Sequence, residues 1–310
     1  MLRSSPSSAA TADQLRKALR DRNNFLASKA AALAGELGLR DLIPDLETAF
    51  DRFMVNPAKS DPQCWAKNAI ARTLKALEHD DPSVFIRGCK HIQLEPVWGG
   101  RADAAATLRA TCALALAACS IDRAEILRHL VDLLVDPETP VRVDAARAIA
   151  QLPGWDSALL LRLKTLAGDR EPEVIGQCFT SLLEISPKDS LALVAGFLDQ
   201  PDVDLRLEAI AALGPCREPE AMKILKAYWE RQPDPIVKRA ILLSVGASTE
   251  QEAAAFLISV VDEGCLEHAL ISITALASSR FREQVRSAVS EIVKRRADPK
   301  LDAAFAKDYL

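Results

Sequence analysis

The sequence predicts an all-α protein, a right-handed superhelix of about eight stacked helical hairpins, and three observations carry this. The 310 residues include 51 Ala and only 12 Gly, with aromatic residues at 5%. Ala is the strongest helix former, and so Gly-poor a chain is unsuited to sandwiches, barrels and dinucleotide-binding folds. A polar–basic motif recurs along the chain with a near-constant period. Each period also carries two apolar stripes at helical spacing, the mark of two helices that each bury one face. One such hairpin cannot bury both faces, so stability has to come from stacking neighbours.

Residues 1–12, rich in Ser and Ala and without an apolar run, are expected to form a disordered tail ahead of one repeat domain, 13–310. Asn23 with Lys29 opens a faint first copy, and Asp61-Pro62 with Lys67 a second. Between Leu77 and Asp103 the spacing stretches, and residues 80–102 are read as an insertion. Asp103 with Arg109 restarts the pattern, and Asp136-Pro137 followed by Val141-Arg142 is its clearest copy. Asp169 with Ile175 keeps the frame but loses the basic residue, whereas Gln200 with Arg206 and Gln232 with Lys238 keep it. Glu263 with Ala269 is degenerate, and Asp298-Pro299 starts a truncated last unit. From residue 109 the anchors fall at 142, 175, 206, 238 and 269, and a second ruler, Leu152, Leu183, Leu213, Val245 and Leu276, keeps the same step. Pro suits the first turn of the second helix of each unit and Asp its unsatisfied N–H groups. The second helices are expected at roughly 61–79, 103–119, 140–152, 172–185, 203–214, 235–246 and 265–278, lining the inner surface. First helices read from Ile126, Leu127, Leu130, Leu133 and Leu134, and from Leu159, Leu160, Leu163 and Leu166.

The Asp-Pro turn and the Val-Arg pair, as in Asp136, Pro137, Val141 and Arg142, resemble the HEAT-repeat family, in particular its short-period bacterial branch with the phycobilisome-lyase-type repeats. The resemblance covers roughly residues 23–304 and implies a HEAT/ARM-like solenoid. It also implies a hydrogen-bonded Asp–Arg ladder between adjacent repeats. Asp61/Lys67, Asp103/Arg109 and Asp136/Arg142 match that ladder, Arg206 and Lys238 match it in part, and Asp169/Ile175 departs from it. The ankyrin Thr-Pro-Leu-His and the tetratricopeptide Trp-Leu-Gly-Tyr signatures are missing. The HEAT-type deoxyhypusine hydroxylases bind iron through His-Glu dipeptides, and here His79, His91, His129 and His268 are followed by Asp, Ile, Leu and Ala.

No phosphate-binding, dinucleotide-binding, zinc-protease or nucleophile-elbow motif occurs, so no catalytic residue and no cofactor is expected. Net charge is −4, and residues 1–155 hold 20 basic and 19 acidic side chains against 19 and 24 in the rest. This balance argues against a nucleic-acid surface, which draws its affinity from a basic surplus. The seven cysteines are scattered without a CxxC pair, as reduced thiols of a cytoplasmic protein are. Cys64, Cys89, His91 and Cys112 lie on or near consecutive elements, but their spacing is unlike zinc sites, and buried thiols without a metal are the expectation. Lys294-Arg295-Arg296 reads as the solvated face of a terminal repeat.

The insertion is dense in residue types that recognition sites use: Phe85, Arg87, His91, Trp98, Gly99 and Gly100. It reads either as a loop anchored by Trp98 and Phe85 or as a partner-binding site. The functional expectation is a non-catalytic scaffold that binds a protein partner. Two other readings are an accessory lyase or chaperone for a cofactor-bearing protein, implied by the resemblance, and a HEAT-like nucleic-acid enzyme. Far-UV circular dichroism of the purified chain is expected to show strong minima at 208 and 222 nm with almost no strand component; a substantial β signal would overturn the architecture.

Overall fold

A computed structural model describes residues 6–309, and among these the chain is all-α apart from one short β-hairpin. Residues 1–5 of the expected tail lie outside the described residues, whereas 6–12 belong to helix α1 (Pro6–Leu19) rather than to a tail. Further along that helix Leu15 and Leu19 are buried. Arg16 donates from Nε to Asp45 at 2.9 Å, a tie that the Ser-Ala composition does not reveal.

The chain divides into two compact units, up to Ser157 and from Ala158 onward. In the first, α1 pairs with α2 (Asn24–Glu36), and α3 (Ile43–Met54) with α5 (Trp65–Ala76), joined through the single turn α4 (Pro57–Ser60). Helix α6 (Pro82–Cys89) pairs with α7 (Ala106–Leu116), and α8 (Arg123–Leu133) with α9 (Thr139–Ala150). Helices α2, α5, α7 and α9 pack one on the next as a layer of second helices. Ile70, Leu108 and Ile149 fill that layer, and small residues such as Ala31, Ala71 and Ala113 let the helices approach.

Helix α10 (Trp155–Ala167) starts within the last residues of the first unit, and in the second unit α12 (Pro187–Gly196), α14 (Pro219–Arg231), α16 (Gln251–Glu263) and α18 (Arg282–Arg296) are first helices. Helix α11 (Pro172–Ile185) follows α10, and the partners of the other four are α13 (Val203–Leu213), α15 (Pro235–Gly246), α17 (Leu266–Ser278) and α19 (Pro299–Tyr309). The Asp298-Pro299 start is therefore completed into a helix. Phe179, Ile210, Ile241, Ile273 and Tyr228 are buried in one continuous core.

The second helices begin where the Pro turns place them, at Pro172 and Pro235 for example. Asn23, Asp81, Asp202 and Asp234 cap their helices by accepting first-turn N–H groups. At the clearest copy of the motif the capping position is Glu138 instead, and the Asp136 carboxylate accepts the Glu138 N–H at 2.9 Å. The expected core stripe of α10 is also rearranged. Leu161 is buried, while Leu159, Leu163 and Leu166 are more than half exposed.

The segment 80–102 is less of an insertion than its spacing suggests. Its first half is α6, the ordinary first helix of the third pair. The added residues form a hairpin between α6 and α7, β1 (Leu94–Val97) with β2 (Gly100–Asp103), in which Leu94 faces Asp103 and Val97 faces Gly100.

Close approach of α6 to α7 depends on Gly88, where an added Cβ would overlap the Cys112 sulfur and crowd its Cβ at 3.3 Å. Gly88→Ala is expected to cost about 1–3 kcal/mol, the usual size of overpacking. Gly100→Ala, whose Cβ would meet nothing within 4 Å, should be close to neutral. Urea denaturation of the two variants beside the parent measures the difference.

Candidate partner-binding site

The site is built outward from a buried charge. Arg109, on the first turns of α7, is only 2% exposed. Its Nε and one terminal nitrogen grip both oxygens of Asp136, at 2.8 and 2.9 Å, as a two-pronged pair. The other terminal nitrogen donates to Asp103 at 2.5 Å and to the His91 carbonyl at 2.9 Å. Asp103 in turn accepts the backbone N–H of Gln93 and of Ala105, each at 2.9 Å. Burial raises the Asp103 carboxyl, but these N–H groups and Arg109 outweigh it and hold the group below the ordinary carboxylate range.

The hairpin grows from this cluster. Gln93, nearly fully buried, donates from its amide to the Asp61 carbonyl at 2.8 Å and to Glu95 at 2.5 Å, and its amide oxygen faces His91 Nε2 at 3.1 Å. Glu95 also accepts the Gln63 N–H at 2.7 Å. Asp61 is itself fully buried, held by Lys67 Nζ at 2.9 Å, by the Ala66 and Lys67 N–H groups, and by the Asn24 amide at 2.9 Å from the preceding pair. The base of the hairpin is thus fixed by hydrogen bonds while its tip projects.

At that tip Trp98 is fully exposed and Val97 about half exposed, while at the base of the hairpin Leu94 and Ile92 are also about half exposed or more. Gly99 has φ +86°, a turn conformation that Gly adopts without a Cβ penalty. Gly100 opens β2, so the two glycines form a turn and a strand start. Beside the hairpin an open groove of about 510 Å³ is lined by Asn56, Pro57, Ala58, Lys59, Ile92 and Leu94.

The other residues singled out from the sequence separate. Phe85 is fully buried on α6, its ring 6.3 Å from that of His79, and belongs to the core rather than to a contact surface. Arg87 is partly exposed but committed to Asp51 at 2.5 Å and lies over the Phe50 ring. His91 is half-buried, and burial lowers its imidazole pKa against the hydrogen bond to Gln93. Of the six, Trp98, Gly99 and Gly100 lie together on the exposed hairpin. The anchoring role expected of Trp98 does not fit its full exposure.

The ladder residues separate too. Lys67 and Arg109 pair with Asp61 and Asp103 six positions earlier, and Arg109 reaches on to Asp136 of the next pair. Arg142 is buried and donates to the carbonyls of Asp136 and Pro137, at 2.8 and 3.0 Å. In the second unit the Arg206 Nε is buried without a hydrogen-bond partner among the described residues, and Lys238 lies over the Trp229 ring at 4.7 Å.

Burial pushes the thiols of Cys64 and Cys89 up to about 12 and that of Cys112 well above its ordinary value, so all three remain protonated packing groups. Sequence reading missed a different cluster, Glu47, His79 and Asp81, whose ligand-type atoms lie within 4.8 Å of one another. His79 Nε2 is 2.9 Å from Glu47, and Asp81 caps α6 through the Ser83 N–H at 2.8 Å, so the group ties the α5–α6 turn to α3. Glu47 lies 32 and 34 positions before the other two, so no local spacing announces the group. Among the described residues no helix is long and apolar enough to cross a membrane.

Residues 159–246 and 191–277 match the family described as HEAT repeats. No curated protein matches the chain by sequence. Among solved structures, the complex of CpcE and CpcF of phycocyanin lyase from Nostoc sp. PCC7120 aligns at 18% identity over 73% of this chain and 89% of that one, with a TM-score of 0.40. YibA of Escherichia coli aligns at 12% identity over 99% and 98%, with a TM-score of 0.44. Human deoxyhypusine hydroxylase aligns at 18% identity over 78% and 85%, with a TM-score of 0.33.

Removing Arg109 strands two buried carboxylates, and Arg109→Ala is expected to lose about 3–5 kcal/mol, against almost nothing for Lys75→Ala on the exposed side of α5. The depressed Asp103 carboxyl binds fewer protons folded than unfolded. Its contribution is therefore present above the unfolded value of about 3.9 and lost as pH falls through the lower folded one. Urea midpoints at pH 6 and pH 3 should fall less for Asp103→Asn than for the parent.

Proposed function

We propose that this chain, whose residues 159–277 carry HEAT repeats, is a non-catalytic scaffold that docks a protein partner through the hairpin of its first unit. The observation that carries this reading is Trp98, a fully exposed indole at the end of a hairpin whose base is fixed by buried hydrogen bonds. A large aromatic in water gains nothing for folding, whereas burying it in a partner releases its apolar surface, and Trp is the residue most enriched among binding hot spots. The fixed base lowers the ordering cost of binding. The neighbouring Val97 extends the apolar contact at the tip, and Leu94 and Ile92 offer more apolar surface at the base. The buried, protonated thiols support a reducing, cytoplasmic setting.

Trp98→Ala is expected to leave the melting transition within about 0.5 kcal/mol of the parent, as surface substitutions do, whereas a packed anchor would cost about 3–5 kcal/mol. Affinity capture from the source cell, read by mass spectrometry, should lose a discrete set of proteins in Trp98→Ala. Retention of the same set by the folded variant would reject the hairpin as the docking element.

A further inference from the structure

The layer of second helices in the first unit has a face that the hairpin does not use. Between α2 and α5 an open groove is lined by Phe25, Lys29, Ala32, Trp65, Ala69 and Arg72. Phe25 and Trp65 are each about half exposed, at 52% and 48%, with ring centroids 6.0 Å apart in an edge-to-face pair. The Lys29 ammonium lies 5.4 Å from the Phe25 ring centre. Neither Lys29 nor Arg72 has a carboxylate partner among the described residues, although the chain as a whole is acidic. The groove continues along α2 and α5 past Gly35 and Thr73, where Glu36 is its one acid.

An aromatic pair half in water, flanked by two unpaired cations, is complementary to a ligand with apolar and anionic groups side by side. We infer that this groove binds an acidic peptide segment of a partner protein, with an apolar side chain against Phe25 and Trp65 and carboxylates on Lys29 and Arg72. Ala32 and Ala69 keep the floor low, so an extended backbone can lie between the helices. A nucleic-acid strand fits less well. Its affinity scales with the number of phosphates neutralised, and two cations supply a small term at physiological salt. A peptide with a few carboxylates needs no more, and the charge pairs set orientation and partner choice. The inference rests on the reading of the chain as a partner-binding scaffold, but uses a surface separate from Trp98.

The test is selection of a phage-displayed random dodecapeptide library on the full chain at 150 mM salt. Recovered sequences are expected to be enriched in Asp and Glu next to an aromatic or aliphatic residue. A synthetic, fluorescein-labelled copy of the leading sequence should bind the Lys29→Glu/Arg72→Glu variant at least tenfold more weakly and the Trp98→Ala variant as tightly as the parent. Lys29→Gln/Arg72→Gln, checked by its melting curve, serves if the charge-reversed protein fails to fold, and should show the same direction. No enrichment, a consensus without acidic residues, equal binding by the double variant, or tighter binding of a twelve-residue oligothymidylate than of the peptide would each overturn it. Loss of peptide binding in Trp98→Ala alone would instead move the peptide to the hairpin and overturn the groove.

Discussion

The Arg109 guanidinium is buried between two carboxylates and a peptide carbonyl, and separate parts of the chain converge on it. Asp103 brings the end of the hairpin, Asp136 the α8–α9 turn of the next helix pair, and the His91 carbonyl the exit of α6. Taking such an ion out of water costs several kcal/mol, which only close geometry and further hydrogen bonds can offset. Here the guanidinium makes four bonds, and the excess negative charge is met by the N–H groups of Gln93, Ala105 and Glu138. Every element named has to be in register for the charges to be satisfied. The network therefore fixes relative positions, where the apolar packing of alanines alone would tolerate sliding.

The two units solve the stacking problem differently. In the first, Asp103–Arg109–Asp136 joins successive repeats directly, and the buried Asp61–Lys67 pair is tied to the preceding repeat by the Asn24 amide. In the second, the corresponding Arg206 and Lys238 meet no carboxylate among the described residues. Lys238 lies over Trp229, and the ion pairs between successive first helices, such as Lys226–Glu252 and Arg295–Asp262, are partly exposed, beside buried single bonds such as that from Tyr228 to the Leu198 carbonyl at 2.7 Å. The match to HEAT repeats falls on this second unit, while the projecting hairpin and the cation-flanked groove belong to the first.

Helix starts were legible because proline and periodicity are local signals, and Pro172 and Pro235 open their helices where the motif places them. The pairing of Arg109 with Asp103 was legible as a six-residue spacing. Its bond to Asp136, 27 residues on, was implied only by the resemblance, as a ladder between adjacent repeats, since spacing alone does not say which neighbouring carboxylate turns inward on stacking. The hairpin escaped because its strands are four residues long and carry Pro96 and Gly100, both poor strand formers. Sequence likewise cannot distinguish an aromatic that anchors a loop from one that crowns it, so Phe85 and Trp98 looked equivalent although one is buried and the other exposed. The apolar spacing of α10 was correct as a helix signal and misleading about burial, because periodicity shows that a face is apolar without naming what covers it.

A lone two-stranded ribbon projecting from a helical protein leaves unpaired backbone along its outer edges, a template on which further strands of the same kind could add. Pro96 has no N–H to offer, and in an antiparallel pair proline is accommodated only where that missing donor would have pointed away from its partner strand. Four residues a side, with a glycine at the start of the return strand, leave little length for a second ribbon to grip. The feature that shortens the hairpin thus also keeps it from polymerising, and allows an indole to stand in water on a strand tip without seeding aggregation.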